Sequence, residues 1–205
     1  AVGRNSLVTN TTGSRNVALG QNAVEYPDTE NDNLGIGYNA LSGTIAGGQA
    51  NVAVGNYTLD ALTSGDDNVA VGYNAGTGIT TGQRNIIIGE GCATALTTGQ
   101  GNVVIGRLAA EAMDTGNDNT LIGRDAGSSY VGSGDDCTIV GKGSRPHSSA
   151  DNESNTTIFG AGITSGQGNE VHIGNTSITA IKGQVSFGTY SDERIKKDII
   201  DTDLG

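Results

Sequence analysis

The chain has 205 residues and a formal net charge of -11. That balance argues against nucleic-acid partners, which require Lys and Arg to displace counterions, and against docking on an anionic membrane. With no Trp, two Phe and 34 Gly, it has too few large rings to fill the core of an ordinary globular domain.

One phrase, Asn-Val-Ala-Val-Gly, organises the rest. Its glycines are Gly3, Gly20, Gly37, Gly55, Gly72, Gly89, Gly106, Gly123, Gly141, Gly160 and Gly174, mostly 17 or 18 residues apart. A fixed short period predicts a solenoid of stacked coils. A Gly/Asn/Thr-rich composition invites a disordered reading, but β-branched residues return on schedule, as a sheet requires. The chain opens inside a repeat, at Ala1-Val2-Gly3, so the protein is expected to continue upstream. No signal-peptide pattern stands at the start, and no apolar run approaches the ~18 residues of a membrane helix.

Within each coil the residue before the glycine is large and apolar, from Leu19 and Ile36 to Phe159 and Ile173. The residue three before it is mostly apolar too, from Val17 to Val171. Strand side chains alternate, so these two positions share a face, which is expected to line the coil interior. The position between them runs Ala18, Gly35, Ala53, Ala70, Ile87, Val104, Leu121, Ile139, Ile158, His172. It is expected to point outward. Because it becomes aliphatic, Ile87, Val104, Leu121, Ile139, Ile158 and His172 are expected to form the interface of a homotrimer.

Three places after the glycine the residue is often small (Ala23, Ala40, Ala75, Cys92, Ala109, Ala126); then comes a second apolar pulse (Leu62, Ile79, Leu96, Met113), then a Gly-centred turn such as Thr81-Gly82. The coil is therefore expected to be strand, turn, shorter strand, turn. Asn16, Asn33, Asn51, Asn68, Asn85, Asn102 and Asn119 head the repeats and are expected to bond from coil to coil as a ladder. Two stretches break the rhythm, 25–32 and 144–153. Loops on a rigid scaffold often carry binding, but these residues name no receptor. Paired turn carboxylates, Asp66-Asp67 and Asp135-Asp136, allow Ca²⁺ binding but are expected to be solvated turn residues. Cys92 and Cys137 lie two to three coils apart, roughly 10–15 Å at ~4.8 Å per coil, beyond disulfide reach. Both are expected to be free, small, buried hydrophobes. His147 and His172 have no second ligand cluster, so no metal or other cofactor is expected; three copies of His172 on a trimer axis are the one arrangement that could hold an ion.

Two resemblances follow from these motifs. The Asn-Val-Ala-Val-Gly phrase, with Ala and Thr-Thr-Gly at fixed offsets, resembles the head repeats of trimeric autotransporter adhesins and the repeat arrays of phage tail-fibre proteins. It covers roughly residues 1–174 and implies a trimeric parallel β-roll. The string Ser191-Asp192-Glu193-Arg194-Ile195-Lys196-Lys197 resembles the start of the endosialidase-type intramolecular chaperone domain of phage tail spikes and fibres. That resemblance implies self-cleavage between Tyr190 and Ser191. Ser191 would be the nucleophile and Lys196 the general base, with Asp192 and Arg194 helping to form the site. The bland alternative is a charged helix start with Ser191 as N-cap.

The expected organisation is an all-β rod over 1–174, connector strands over 175–190, and the short helical start of a chaperone domain over 191–205. The expected function is the structural, receptor-contacting shaft of a trimeric phage tail fibre, in the extracellular virion tail. Its partners would be two further copies, other tail proteins and a host-cell surface receptor, glycan or protein. Membrane insertion and any enzymatic activity beyond the single self-cleavage are not expected. The rivals are the head of a bacterial surface adhesin and a polysaccharide-degrading tail spike. The latter needs clustered carboxylates in a groove, which these coils do not show.

Overall fold

The computed structural model describes residues 1–27, 29–129, 133–146, 154–166 and 168–179. Ten three-residue strands follow one another in chain order: β1 Val17–Leu19, β2 Leu34–Ile36, β3 Val52–Val54, β4 Val69–Val71, β5 Ile86–Ile88, β6 Val103–Ile105, β7 Thr120–Ile122, β8 Thr138–Val140, β9 Thr157–Phe159 and β10 Val171–Ile173. They form one parallel sheet in sequential order. The register matches equivalent residues, as in Ala70↔Ile87 and Ile87↔Val104. Nine steps between ten strands, at ~4.8 Å each, give a sheet about 43 Å long. The solenoid repeat read from the glycines is therefore the repeat of the fold.

The strands end where a Cβ cannot be accommodated. Gly72 has φ +139°, and a Cβ there would lie 2.5 Å from the carbonyl oxygen of Gly89 in the next coil. Both the left-handed backbone and the backbone-to-backbone stacking require glycine.

The second half of the coil differs from the expected shorter strand. Among the described residues it forms no named strand; it is a stack of turns tied by backbone hydrogen bonds from coil to coil, such as Leu59 N–H to the Ala75 oxygen (3.1 Å). The cause is conformational. Residues two and four places after the glycine, such as Asn74 (φ 55°) and Leu59 (φ 50°), sit in the left-handed region, which interrupts an extended run.

The two strand faces are also the reverse of the sequence expectation. Ile87, Val104, Leu121, Ile139 and Ile158 are fully buried inside a single chain, as are Ala53 and Ala70. The flanking positions face outward, and Ile86, for example, is 40% exposed. The assignment of Ile87, Val104, Leu121, Ile139 and Ile158 to a trimer interface is corrected accordingly: they are core. His172 occupies the same inward row on β10, half-buried at the end of the described stack. Its Nε2 lies 2.7 Å from Glu170 Oε2 in the same chain.

Packing explains the reversal. The inward row faces the residues four places after each glycine, and the two rows exchange volume. Small Ala18, Gly35 and Ala53 come with large Val24, Leu41 and Leu59, whereas large Ile87, Val104 and Leu121 come with Ala93, Ala110 and Gly127. The contacts are direct. A Cβ on Gly35 would lie 2.6 Å from Val24 Cγ2, and one on Gly127 would lie 3.3 Å from Leu121 Cδ1. The exchange occurs in the coil of Ala70 and Gly76, where both are small. Leu59 Cδ2 and Ile87 Cδ1 reach in from the coils on either side, 3.0 and 3.4 Å from where a Gly76 Cβ would stand. The core thus keeps a constant filling along the rod.

Candidate oligomerisation interface

Turning the inward row into the core leaves the other two rows to solvent. Each of the ten strands presents two residues outward, and of these twenty only Thr120, Thr138 and Thr157 are not apolar. Val17, Leu19, Phe159 and Ile173 are 46–52% exposed, Val171 69%. The result is a largely aliphatic face along the whole sheet, interrupted by those three threonines. Single exposed apolar residues are ordinary on a protein surface, but a contiguous band of this length marks an interaction surface. Parallel sheets are rarely left open on one side.

The face is held rigid from within by the asparagine ladder. Asn33, Asn51, Asn68, Asn85, Asn102 and Asn119 are fully buried. Each side chain completes its hydrogen bonds in one pattern. The Asn85 amide donates to Asn68 Oδ1 (3.0 Å) and to the Gly99 oxygen (2.9 Å). Its own oxygen accepts from the backbone N–H and the side-chain amide of Asn102 (3.0 and 2.9 Å). The ladder closes where Cys137 replaces Asn and donates only its backbone N–H to Asn119 Oδ1 (2.9 Å). The structure therefore shows the expected ladder and its end.

The turn carboxylates serve an outer ladder of the same kind. Asp66 accepts from the Gln49 N–H (2.8 Å) and Asp135 from the Asn117 N–H (2.7 Å), while Asp67 and Asp136 occupy left-handed turn positions. Among the described residues no group of three or more His, Cys, Asp or Glu is placed to hold a metal ion. Cys92 and Cys137 are buried and form no disulfide, as the spacing indicated. Burial pushes the Cys92 thiol up to about 12, although a backbone hydrogen bond from Ile88 acts weakly in the other direction.

The stretch 25–32 folds back onto the rod, apart from Asp28, which lies outside the described residues. Buried Glu30 accepts from the N–H groups of Thr29 (3.0 Å) and Gly47 (2.8 Å), so its carboxylate ties the insertion to the following coil. Of 144–153, Ser144 bridges coils by donating to the Gly160 oxygen (2.5 Å) and accepting from the Ile163 N–H (3.1 Å). His147 and the rest of that stretch to 153 lie outside the described residues. So do Tyr190, Ser191, Asp192, Arg194 and Lys196, with the expected connector strands from residue 180 and the expected helical start.

The sequence reading missed the outer face, although one signal could have found it. The volume exchange between the middle strand position and the residue six places later pairs two rows across an interior. Strand alternation alone cannot say which face is inside. Set against known proteins, the chain matches no family model, no curated protein and no solved structure.

Proposed function

We propose that this chain is the shaft of a trimeric phage tail fibre, in which three copies meet through the outward apolar face of the sheet. The observation that carries the proposal is the outward double row from Val17 and Leu19 to Val171 and Ile173, apolar at all but Thr120, Thr138 and Thr157. A rod with one such edge needs partners of matching length, and an identical chain supplies the same repeat and the same two rows. Association of three copies gives each face a neighbour around one axis. The Asn ladder and the glycine stacking keep the rows straight enough to pack along their full length.

The direction toward a fibre comes from the Ser191-Asp-x-Arg-x-Lys196 string, which resembles the junction of an assembly chaperone. In this reading Ser191 Oγ attacks the Tyr190 carbonyl carbon while Lys196 takes its proton, the Tyr190–Ser191 C–N bond breaks as that proton passes to the Ser191 nitrogen, and water then hydrolyses the resulting ester, freeing the Tyr190 carboxylate and restoring the Ser191 hydroxyl. Cleavage would record that three chains had assembled. The shaft would stand in the virion tail between other tail proteins and a host surface.

The test is expression of the chain with the sequence that naturally follows it, examined by native mass spectrometry. The expected species is a trimer whose chains end at Tyr190. Ser191→Ala or Lys196→Ala should give an uncut trimer. A folded monomer, or a trimer that retains its full mass in the unmodified chain, would count against the interface or the cleavage respectively.

A further inference from the structure

A row of residues directly after the repeat glycine runs along one corner of the rod, and in most coils it is polar and solvent-exposed: Arg4, Glu90, Arg107, Arg124 and Lys142. Successive coils stack here by backbone hydrogen bonds, as from Tyr57 N–H to the Tyr38 oxygen (2.9 Å) and from Gly91 N–H to the Tyr73 oxygen (2.9 Å). Tyr38 and Tyr73 interrupt the polar row, and in the coil between them Tyr57 stands one residue further on, after Asn56. Tyr38 and Tyr57 meet edge to face with ring centroids 5.3 Å apart, and Tyr57 and Tyr73 do so at 6.0 Å. Tyr38 and Tyr73 are exposed, Tyr73 at 52%. Beside them lies a shallow depression of about 400 Å³ lined by Tyr57, Tyr73, Asp60, Asn74 and Thr77.

We infer that this tyrosine ladder is a binding platform for neutral saccharide. A pyranose ring has a face of polarised C–H bonds, which suits the electron-rich face of a phenol ring, and a rim of hydroxyls. Asp60, Asn74 and Thr77 place acceptors and donors where that rim would lie. The volume is within the range of small-ligand sites. Aromatic rings also stack on nucleobases, but the net charge of -11 and the carboxylate at Asp60 oppose a phosphate backbone. The same charges disfavour acidic sugars. Nor is the ladder a chain–chain contact, because the row it belongs to carries full charges in other coils, including the exposed Arg107–Glu90 pair at 3.3 Å. The inference deepens the host-contacting part of the fibre proposal and rests on it for the biological setting only; the site lies within one chain.

The coils themselves supply test variants that the fold accepts. Asn stands at the Tyr57 position in the coils of Asn39 and Asn74, and Gln21 stands at the Tyr73 position. Tyr57→Asn and Tyr73→Gln should therefore keep the melting temperature and the oligomeric mass. The probes are neutral hexose and N-acetylhexosamine oligomers, with sialylated and sulfated oligomers as the acidic set. Binding at millimolar sugar is followed by saturation-transfer NMR and by tyrosine emission, which no Trp masks. The expected result is binding of neutral oligomers by the unmodified protein, weakened at least about tenfold by either substitution, the effect of losing one stacked ring. Binding of no neutral oligomer, binding confined to the acidic set, or affinity unchanged in both variants would overturn the inference. So would loss of the oligomer in both folded variants, which would assign the ladder to a subunit contact. Failure here with an intact trimer leaves the fibre proposal standing, whereas sugar binding by a stable monomer would sink the trimer and keep the platform.

Discussion

Asn85 shows what a single buried polar residue does in this rod. Its side chain uses both donors and accepts two hydrogen bonds, in a place with no access to water. Asn85→Ala strips the Gly99 carbonyl of its donor and leaves the Asn102 N–H without an acceptor. Each such orphan costs about 1–3 kcal/mol, so the substitution should destabilise the rod by on the order of 3–5 kcal/mol. Urea unfolding of both proteins measures it; a loss under ~1 kcal/mol would mean the ladder is an ornament of the packing. Cys92 gives a pH prediction. Its thiol is held neutral, with the folded pKa raised from 9.0 to about 12. Above pH 9 the unfolded chain releases this proton while the folded chain keeps it, so stability falls as pH rises through that window. The slope is about 1.4 kcal/mol per pH unit for one such group. Cys92→Ala, the residue found in the neighbouring coils at Ala75 and Ala109, should remove that part of the alkaline loss. Equal alkaline slopes for the two proteins would refute the assignment.

At the scale of one coil, the exchange of volume between facing rows makes a sharper test than any single truncation. Ile87→Ala should leave a cavity worth roughly 2–5 kcal/mol. Ala93→Leu should overpack the same layer at about 1–3 kcal/mol. Together they recreate the arrangement of the coil carrying Ala53 and Leu59, so the double variant should be more stable than the sum of the two losses by at least about 1 kcal/mol. Strict additivity would show that the two rows do not meet. This pairing also marks the boundary of what the sequence conveys. The period, the strand positions and the turn glycines recur along the rod, and the Asn recurs in seven successive coils, so repetition exposes them. The inward face does not announce itself, because both faces of these strands are apolar and alternation only separates them. Only the differences between coils, such as Gly35 against Ile87, carry that information. The second strand was expected because Leu62, Ile79, Leu96 and Met113 recur as a strand residue would. The left-handed backbone at Leu59 and Ala93, which decides against it, has no residue signature like that of glycine. As for the sites, the Ser191 motif is legible as chemistry but lies outside the described residues, and the tyrosine ladder emerges only when residues 16 and 19 apart in the chain are stacked.

Over the whole molecule, the two strand faces predict opposite failures for the same chemical change one residue apart. Ile87→Asp places a charge in the core of a single chain, where it lacks a partner, and should unfold the middle of the rod at any protein concentration. Ile88→Asp places it on the outward face, where the lone chain leaves the side chain 38% exposed. The single chain should therefore tolerate Ile88→Asp, keeping its β-rich circular dichroism spectrum. In an assembled trimer the same carboxylate would be desolvated against a neighbour, at a cost of about 3–5 kcal/mol per buried unpaired charge. Sedimentation of the Ile88→Asp chain should show weakened or absent trimer, and its stability should become less dependent on concentration. Cleavage adds a second readout. If the cut between Tyr190 and Ser191 reports assembly, Ile88→Asp in the full-length protein should reduce the cut fraction, although the substitution lies about a hundred residues from the bond. Ser191→Ala should do the reverse, abolishing the cut while the trimer persists. An Ile88→Asp protein that trimerises and cleaves like the unmodified chain would place the contact between copies somewhere other than the outward face of the sheet.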